Sequence, residues 1–374
     1  MRKAIGKGIL VFLLLSCIAS IAYAQTTPSV AVHGYIENRM YANPNGIARF
    51  AVERVSLSAV ATLPEDRTGY LEIYFHPWAT DAVGASPTTG ANVALGEQGR
   101  TYFESAYLDS PFANGRIRIG KGRGLNFGLT PAIPNRKTSQ YNILSETFTQ
   151  DRIQGFQYSW KNATSDFGAS LYTDLRLQSR KIGATPGLNG NYTVSHVAER
   201  DDTPNLSGRT AVCARYGWSG PCTKLHFSGM VGQLIQADAT TIATAYGTTT
   251  TNTTHKKYGV DAQYAKGTLV GSGEYYVGKF SFETVSGYSV LVGYEPVDKN
   301  ARRLYARYSA INNDQTPTDK QITWPVQQLL IGITQPIGKG VWAELNYEKN
   351  TETPGGGAAE VNNDLLFLEF FTGF

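Results

Sequence analysis

The chain has 374 residues, of which 17% are charged and 41% are hydrophobic, with a formal net charge of +4. This hydrophobic content excludes a disordered chain, and three cysteines in so long a chain exclude a disulfide-dense scaffold. The 39 glycines and 22 tyrosines are typical of a large β protein instead.

The first 24 residues predict a cleaved secretory signal peptide. Three basic residues among the first seven precede the apolar run 9–21, and Ala22-Tyr23-Ala24 has the small residues of a cleavage site. Cys17 ends a loose lipoprotein-type motif, so lipidation there remains an alternative. Cleavage after Ala24 removes three positive charges and no acidic residue, which lowers the net charge from +4 to +1. A mature chain this close to neutrality is not a polycation that seeks nucleic acid.

Residues 25–374 predict one domain, an all-β transmembrane antiparallel barrel. No run of 18 apolar residues occurs after residue 24, so we expect no spanning helix. Apolar and polar residues alternate instead over stretches of about ten residues, for example in 258–264 and 340–348. We place sixteen strands near residues 30–41, 47–62, 69–78, 101–109, 115–122, 151–161, 166–176, 209–216, 222–235, 256–266, 268–280, 287–295, 301–311, 322–335, 340–349 and 363–374.

The connections between these strands differ in length, which predicts short periplasmic turns and long extracellular loops. Seven short connections are rich in turn-forming residues, and sixteen strands need seven such turns. The longer connections lie near 79–100, 123–150, 177–208 and 236–255.

The last residue, Phe374, ends a strand in which Leu366, Leu368, Phe370 and Thr372 share one face. This pattern resembles the C-terminal signature of bacterial outer-membrane barrels. The resemblance implies recognition by the barrel-assembly machinery and a location in the bacterial outer membrane, in contact with its lipids.

Cys213 and Cys222 lie symmetrically about the turn-like segment 217–221. A hairpin with that turn places the two thiols face to face, and an oxidising compartment then favours a cross-strand disulfide. A metal pair is the alternative, but His226 is the only histidine nearby and no second CxxC occurs, so we expect no metal site.

The five histidines form no metalloprotease motif, and neither a GxSxG nucleophile elbow nor a phosphate-binding Walker loop occurs. We therefore expect no enzyme and no cofactor. A Ser–His or Asp–His pair brought together by folding remains open.

Basic residues in the first third of the chain predict a positively charged constriction. The segment 121–152 holds five basic and two acidic residues, and it includes the third connection on the loop side of the predicted barrel, a position at which a loop can fold inward. Rings of charged side chains set ion selectivity in pores. The alternative is that these residues decorate a solvated loop. The predicted constriction consists of Arg116, Arg118, Lys121, Arg123, Arg136 and Lys137.

Arg303 and Arg307 share one face of a later strand and predict a second basic wall across the lumen. The alternative is internal pairing with lumenal acids such as Glu344. Inward-facing aromatics that stack on sugars are a further alternative, for which Trp342, Tyr305 and Phe367 are the candidates. The acids expected to face the lumen are Glu274, Glu344, Glu348 and Glu369.

Segments 102–109 and 115–121, followed by Phe127-Gly128-Leu129-Thr130-Pro131, resemble the strand–turn–strand and third loop of the phosphate-selective porin O/P family. The resemblance implies a sixteen-stranded, trimeric porin through which small hydrophilic solutes or anions diffuse passively. A non-porin barrel is the alternative, acting either as a scaffold or as an adhesin through loops 177–208 and 236–255.

Overall fold

The computed structural model of the protein shows a closed antiparallel barrel of sixteen strands in the order β1–β7 and β10–β18, with β18 pairing back to β1. The structure describes residues 28–42, 48–76, 100–123, 126–129, 137–138, 142–149, 152–181, 194–204, 209–245, 247–313, 325–353 and 364–374. The predicted signal peptide 1–24 and Arg136 lie outside these residues, as does nearly all of the loop 79–100.

Every one of the sixteen predicted strands is present, and each predicted end lies within four residues of the observed one. The barrel strands are β1 (Ser29–Ala42), β2 (Ala48–Leu63), β3 (Arg67–His76), β4 (Arg100–Phe112), β5 (Gly115–Arg123), β6 (Arg152–Lys161), β7 (Ser165–Thr173), β10 (Thr210–Ser219), β11 (Thr223–Gln233), β12 (Thr254–Lys266), β13 (Leu269–Phe280), β14 (Glu283–Tyr294), β15 (Arg303–Asn313), β16 (Val326–Gly338), β17 (Val341–Glu352) and β18 (Leu365–Gly373).

The two faces of the wall separate by chemistry, as the alternation predicted. In β17, Leu345 and Tyr347 face outward, 42% and 44% exposed, while Glu344 and Asn346 face inward and are buried. Apolar outward and polar inward residues are the pattern of a barrel that spans lipid around a polar interior. The four lumenal acids expected from the sequence, including Glu274 and Glu369, are all buried inside.

The barrel closes where the two ends of the chain meet. The register of β18 on β1 runs from Gly373 opposite Tyr35 to Leu366 opposite Ala42. Phe374 extends this pairing, because its N–H and C=O both hydrogen-bond to Gly34 at 2.9 Å. A Cβ at Gly34 would lie 2.6 Å from the Phe374 ring, so the close approach of the last residue needs glycine there.

Two long connections contain structure that the sequence pattern did not indicate. A two-stranded sheet, β8 (Leu175–Lys181) with β9 (Val194–Pro204), occupies the connection after β7. A helix, α1 (Gln236–Ala245), follows β11 and buries Ala239, Ile242 and Ala243 along one side. No helix among the described residues is long and apolar enough to cross a membrane.

The predicted disulfide between Cys213 and Cys222 is wrong, because both cysteines are free. The β10–β11 hairpin turns between Ser219 and Thr223, so Cys222 lies in the turn itself. Cys213 sits six residues back along the strand, opposite Met230, and is buried. The prediction centred the turn too early in the chain.

We expect the two thiols to differ in reactivity. In folded protein spanning residues 25–374 and kept without reductant, a maleimide should add once, at the partly exposed Cys222, because Cys213 is buried. Denaturation should bring the number of adducts to two, as measured by intact mass. A folded protein that reacts only after reduction would contradict the free cysteines.

Candidate functional site: the barrel interior

Between β5 and β6, the described residues 126–129, 137–138 and 142–149 lie inside the barrel and hydrogen-bond to its inner wall; these parts of the range 126–149 are the inward segment. The Gly128 amide donates to Ser228 Oγ on β11 at 3.2 Å, and the Leu129 amide donates to the Tyr276 hydroxyl on β13 at 3.1 Å. Gly128 has a φ of +62°, and a Cβ there would lie 2.6 Å from the Tyr276 oxygen. Glycine is therefore what lets the segment approach the wall this closely.

The second half of the segment is held by polar groups of β12 to β15. Asn142 Nδ2 donates to Glu274 Oε1 at 3.0 Å, and Arg307 Nη1 donates to Thr138 Oγ1 at 2.8 Å. Lys257 Nζ donates to the Phe148 carbonyl at 2.9 Å. Because these partners come from strands far along the chain, the segment ties the inner wall together as well as occupying the lumen.

Lys137 anchors the same segment to the short β14–β15 connection through an ion pair with Glu295. Burial raises the pKa of Glu295, but hydrogen bonds from Lys137 and Tyr305 outweigh burial and leave this pKa below its ordinary value. The carboxylate is therefore ionised at neutral pH and the pair is intact.

A continuous apolar cluster fills the interior towards the long-connection end. It joins the inward segment, helix α1 and the inner faces of the strands around them, so this part of the lumen is packed as a protein core. Its members include Phe127, Ile143, Leu144, Phe148, Leu234, Ile242, Tyr276, Phe280, Val285, Ile311 and Val326.

A cavity of about 620 Å³ lies between the inward segment and the short turns. Its lining includes the turn residues 219–223 together with Gly128 and Asn142 of the segment. The charged lining residues are mostly basic, with five bases against two acids. The bases are Lys137, Lys161, Arg215, Lys224 and Arg307. The acids are Asp166 and Glu274, and His226 also lines the cavity.

The lining bases differ in how far they are neutralised. Arg215 Nη2 lies 2.6 Å from Asp261 Oδ1, and the two ring nitrogens of His226 lie 3.1 Å and 3.2 Å from oxygens of Asp261 and Asp166. Lys161 and Lys224 form no ion pair with any residue that the structure describes. Their charge is therefore the part of the lining most available to a mobile ion.

The predicted constriction residues do not form one ring. Arg116 stands at the turn end of β5, paired with Asp109 and with Asp66 at 2.6 Å. Arg123 ends the same strand near Glu104 at 3.5 Å, seven residues or roughly 23 Å away along the strand. Arg118 lies between these levels, with its guanidinium 3.9 Å from the centre of the Tyr107 ring. Only Lys137, among the described members, lines the cavity.

Lys121 does not face the lumen, contrary to the prediction. It pairs with Ala106 on the face that also carries Ile119 and Leu108, so it points away from the lumen, and its Nζ donates to the Phe103 carbonyl at 3.0 Å. The sequence alternation already placed Lys121 on the face of Ile119, opposite to Arg118.

Arg303 and Arg307 do share the inner face of β15, and Arg307 is paired with an acid, whereas Arg303 forms no ion pair with a described residue. Arg307 Nη2 lies 3.9 Å from Glu348 Oε2 and donates to Gln328 Oε1 at 3.0 Å. The internal pairing considered as the alternative is therefore present, with Glu348 in the place of Glu344. Glu344 instead accepts from Asn346 at 2.7 Å.

Two inward clusters near the barrel closure were missed by the sequence reading. In the first, Arg39 Nε lies 2.6 Å from Glu369 Oε2, joining β1 to β18. In the second, the Phe371 ring stacks on Trp342 at 3.9 Å and on Tyr35 at 5.1 Å. The signal for the first was visible, since the alternation in β1 places Arg39 on the same face as Glu37 and Tyr41. Both faces of Phe371 are covered, so this stack belongs to the wall.

The other proposed sugar-stacking aromatics are also engaged with the wall. The Tyr305 hydroxyl donates to Glu295 Oε1 at 2.7 Å, and Phe367 is fully buried against the edge of Tyr41, with ring centres 5.4 Å apart. Neither offers an open ring face.

Neither a family model nor a curated protein sequence matches the chain. Solved structures match its fold over nearly its full length. The outer membrane channel DcaP of Acinetobacter baumannii matches 94% of this chain and 99% of its own, with 12% identity and a TM-score of 0.62. The outer membrane protein OmpT of Vibrio cholerae, in a trimer form, matches 93% and 100%, with 12% identity and a TM-score of 0.56.

The anion-selective porin from Comamonas acidovorans also matches, over 93% of this chain and 100% of its own, with 12% identity and a TM-score of 0.52. At this identity the likeness concerns the fold alone. The fold is that of the porin-like outer-membrane barrels.

We expect Tyr276→Phe to loosen the inward segment. The hydroxyl accepts from the Leu129 amide and donates to Glu274, so its loss leaves a buried amide without that acceptor, at a cost of about 1–3 kcal/mol. Hydrogen exchange by mass spectrometry should show at least tenfold faster exchange in peptides covering 126–149. The outward-facing Tyr288→Phe is the matched control. Equal exchange in wild type and Tyr276→Phe would contradict the anchoring role.

Proposed function

We propose that the protein is an outer-membrane channel for the passive diffusion of small hydrophilic solutes. The carrying observation is the closed sixteen-stranded barrel whose inner wall is polar and receives the segment 126–149. The channel and porins among its structural neighbours support this function, as does the resemblance of residues 102–131 to the phosphate-selective porin O/P family. We propose no catalytic step, metal or cofactor for this channel.

The inward segment narrows the passage in this proposal. It lies in the lumen beside β7 and β10–β15. The cavity next to it, on the side of the short turns, is the water-accessible space among the described residues. Its hydrogen bonds to several strands hold the narrow region open and fixed, because the loop cannot move without breaking buried polar contacts.

The same cavity supports an anion preference. Lys137, Arg215 and Arg307 pair with Glu295, Asp261 and Glu348, whereas Lys161 and Lys224 have no ion-pair partner among the described residues. These two lysines give the lining its positive potential, which raises the local concentration of anions beside a low-dielectric wall. In our proposal, Lys161 and Lys224 attract most of the anions. Lys137 and Arg307 line the cavity on the side of the inward segment. Arg116, Arg118 and Arg123 contribute less, because acids beside them offset their charge.

The two ends of the chain support a proposed route to the membrane. We propose cleavage of residues 1–24, assembly by the barrel-assembly machinery through the terminal strand ending at Phe374, and a homotrimer in contact with outer-membrane lipids. The trimer form of the Vibrio cholerae neighbour supports the oligomeric state. The exposed, outward Phe374 side chain supports the assembly signal, since it is accessible to another protein.

One observation favours the second candidate, a barrel that acts as a scaffold or adhesin and does not conduct. The apolar cluster around Phe148 and Tyr276 packs a part of the lumen as a core. A conducting passage must then run beside this cluster. Absence of conductance from folded protein would favour the scaffold.

We expect Lys161→Glu with Lys224→Glu to reduce the anion preference of the channel. The lining changes by four unit charges, and each alters the permeation of a monovalent anion and a monovalent cation about twofold in opposite directions at ~10 Å in water. The anion-to-cation permeability ratio should therefore fall by about two orders of magnitude at low salt. Reversal potentials across a KCl gradient in planar bilayers measure the ratio.

Lys266→Glu is the matched control, because Lys266 lies at the same end of the barrel but on its outer face. The control should leave the reversal potential unchanged. A double variant that keeps the wild-type ratio would reject the basic cavity as the selectivity element, and a cation-preferring wild type would reject the anion preference itself.

A further inference from the structure

Two lysines face each other on the outer surface of the barrel. Lys256 on β12 is directly opposite Lys279 on β13 in the antiparallel register. Their neighbours His255, Lys257 and Phe280 are buried inside, so by alternation both lysines point outward, and both are exposed. Neither forms an ion pair with a residue that the structure describes.

This arrangement is unfavourable in the isolated protein. Directly opposed residues of an antiparallel pair have Cβ atoms about 4.5–5.5 Å apart, and like charges at that position destabilise the pair. The register itself is fixed from elsewhere, by the tight β12–β13 turn with Gly267 at a φ of +60° and by the inward contacts of Lys257 and Tyr276. An anion between the two ammonium groups would remove the repulsion.

The position of the pair indicates the source of that anion. Both lysines lie at the end of the barrel that carries its long connections, although β13 itself joins β14 there through the two-residue turn 281–282. In barrels of this kind that end is extracellular. On the same face, Tyr258 follows Lys256 by two residues and is 60% exposed, and Val231 beside Lys256 is 57% exposed. Tyrosine on an outward face marks the membrane interface, so the lysines stand at headgroup level above a lipid-contacting surface.

We propose that Lys256 and Lys279 bind the phosphate group of a phosphorylated lipid headgroup in the outer leaflet. A phosphate oxyanion between two ammonium donors forms charge-assisted hydrogen bonds with both, and the apolar surface below them accommodates the acyl chains. The partner is a lipid rather than a free anion, because the surface next to the pair is apolar and tyrosine-rich. This site is on the outside of the barrel and does not depend on whether the lumen conducts.

The test is native mass spectrometry of detergent-solubilised protein spanning residues 25–374, titrated with bisphosphorylated lipid A. The wild type should retain the lipid, and Lys256→Gln with Lys279→Gln should bind it roughly 30-fold more weakly, about fivefold for each lysine near an anionic headgroup. Lys256→Arg with Lys279→Arg should retain binding. Lys266→Gln, on the outer face of β12 ten residues away at the opposite end, is the matched control and should bind as wild type does.

Stability without lipid gives a second readout that does not depend on capturing a complex. The double glutamine variant should unfold at the same temperature as the wild type or higher in lipid-free detergent, since a repulsion is removed, and should gain less stability from the lipid. Dephosphorylated lipid A should bind wild type and double variant equally.

Three results of the lipid titration would overturn the proposal. The first is lipid binding by the double variant at the wild-type affinity, and the second is an equal loss in Lys266→Gln. The third is displacement of the lipid by an equal concentration of inorganic phosphate, which would make the pair a site for free phosphate. A change in oligomer size without a change in lipid binding would likewise reject a lipid site in favour of contact with a second copy of the chain.

Discussion

The backbone hydrogen bonds that join β1 to β18 are the constraint on which the rest of the structure depends. Lipid offers no donors or acceptors, so a sheet in a membrane is stable only when every strand has two neighbours. Closure here brings Gly34 against Phe374 and sets the register of the first and last strands. That register decides which residues face inward, because a shift of one residue would turn every side chain to the other face.

Closure also gathers charges that are far apart in sequence. Arg39 meets Glu369, and Arg123 and Arg152 both meet Glu104 within the interior. Buried charges need such partners, since an unpaired ion inside a protein is costly. Most of the inner wall is therefore internally neutral, and the basic character concentrates in the cavity next to the segment 126–149. The proposed anion preference therefore depends on Lys161 and Lys224 rather than on the number of arginines.

Much of the fold was predictable because alternation acts within one strand. The outward face of Leu345 and the inward face of Glu344 follow from the alternation in their own strand, without information about neighbouring strands. All sixteen strands were located in this way. The pairing of inward residues was not predictable, because partners such as Arg307 and Glu348 lie on strands whose relative register the sequence does not specify. The same limit explains the wrong disulfide, where a hairpin turn displaced by a few residues separated Cys213 from Cys222.

The elements that fold inward were also invisible to local patterns. Helix α1 contains three threonines, each of which donates to the backbone carbonyl four residues earlier, and its burial of Ile242 comes from the surrounding wall. Packing against the barrel wall therefore determines the conformation of this helix more than its intrinsic helix propensity does. Lys121 differs, since the alternation in its own strand was sufficient to place it outside the lumen.

Liposome swelling with a series of neutral sugars measures most directly whether a water-filled passage, narrowed by the inward segment, crosses the barrel. Liposomes containing the folded wild-type protein should swell in monosaccharide solution at a rate proportional to the amount of protein, and the rate should fall steeply from mono- to trisaccharides. Folded protein that gives no swelling with any sugar would contradict the passage.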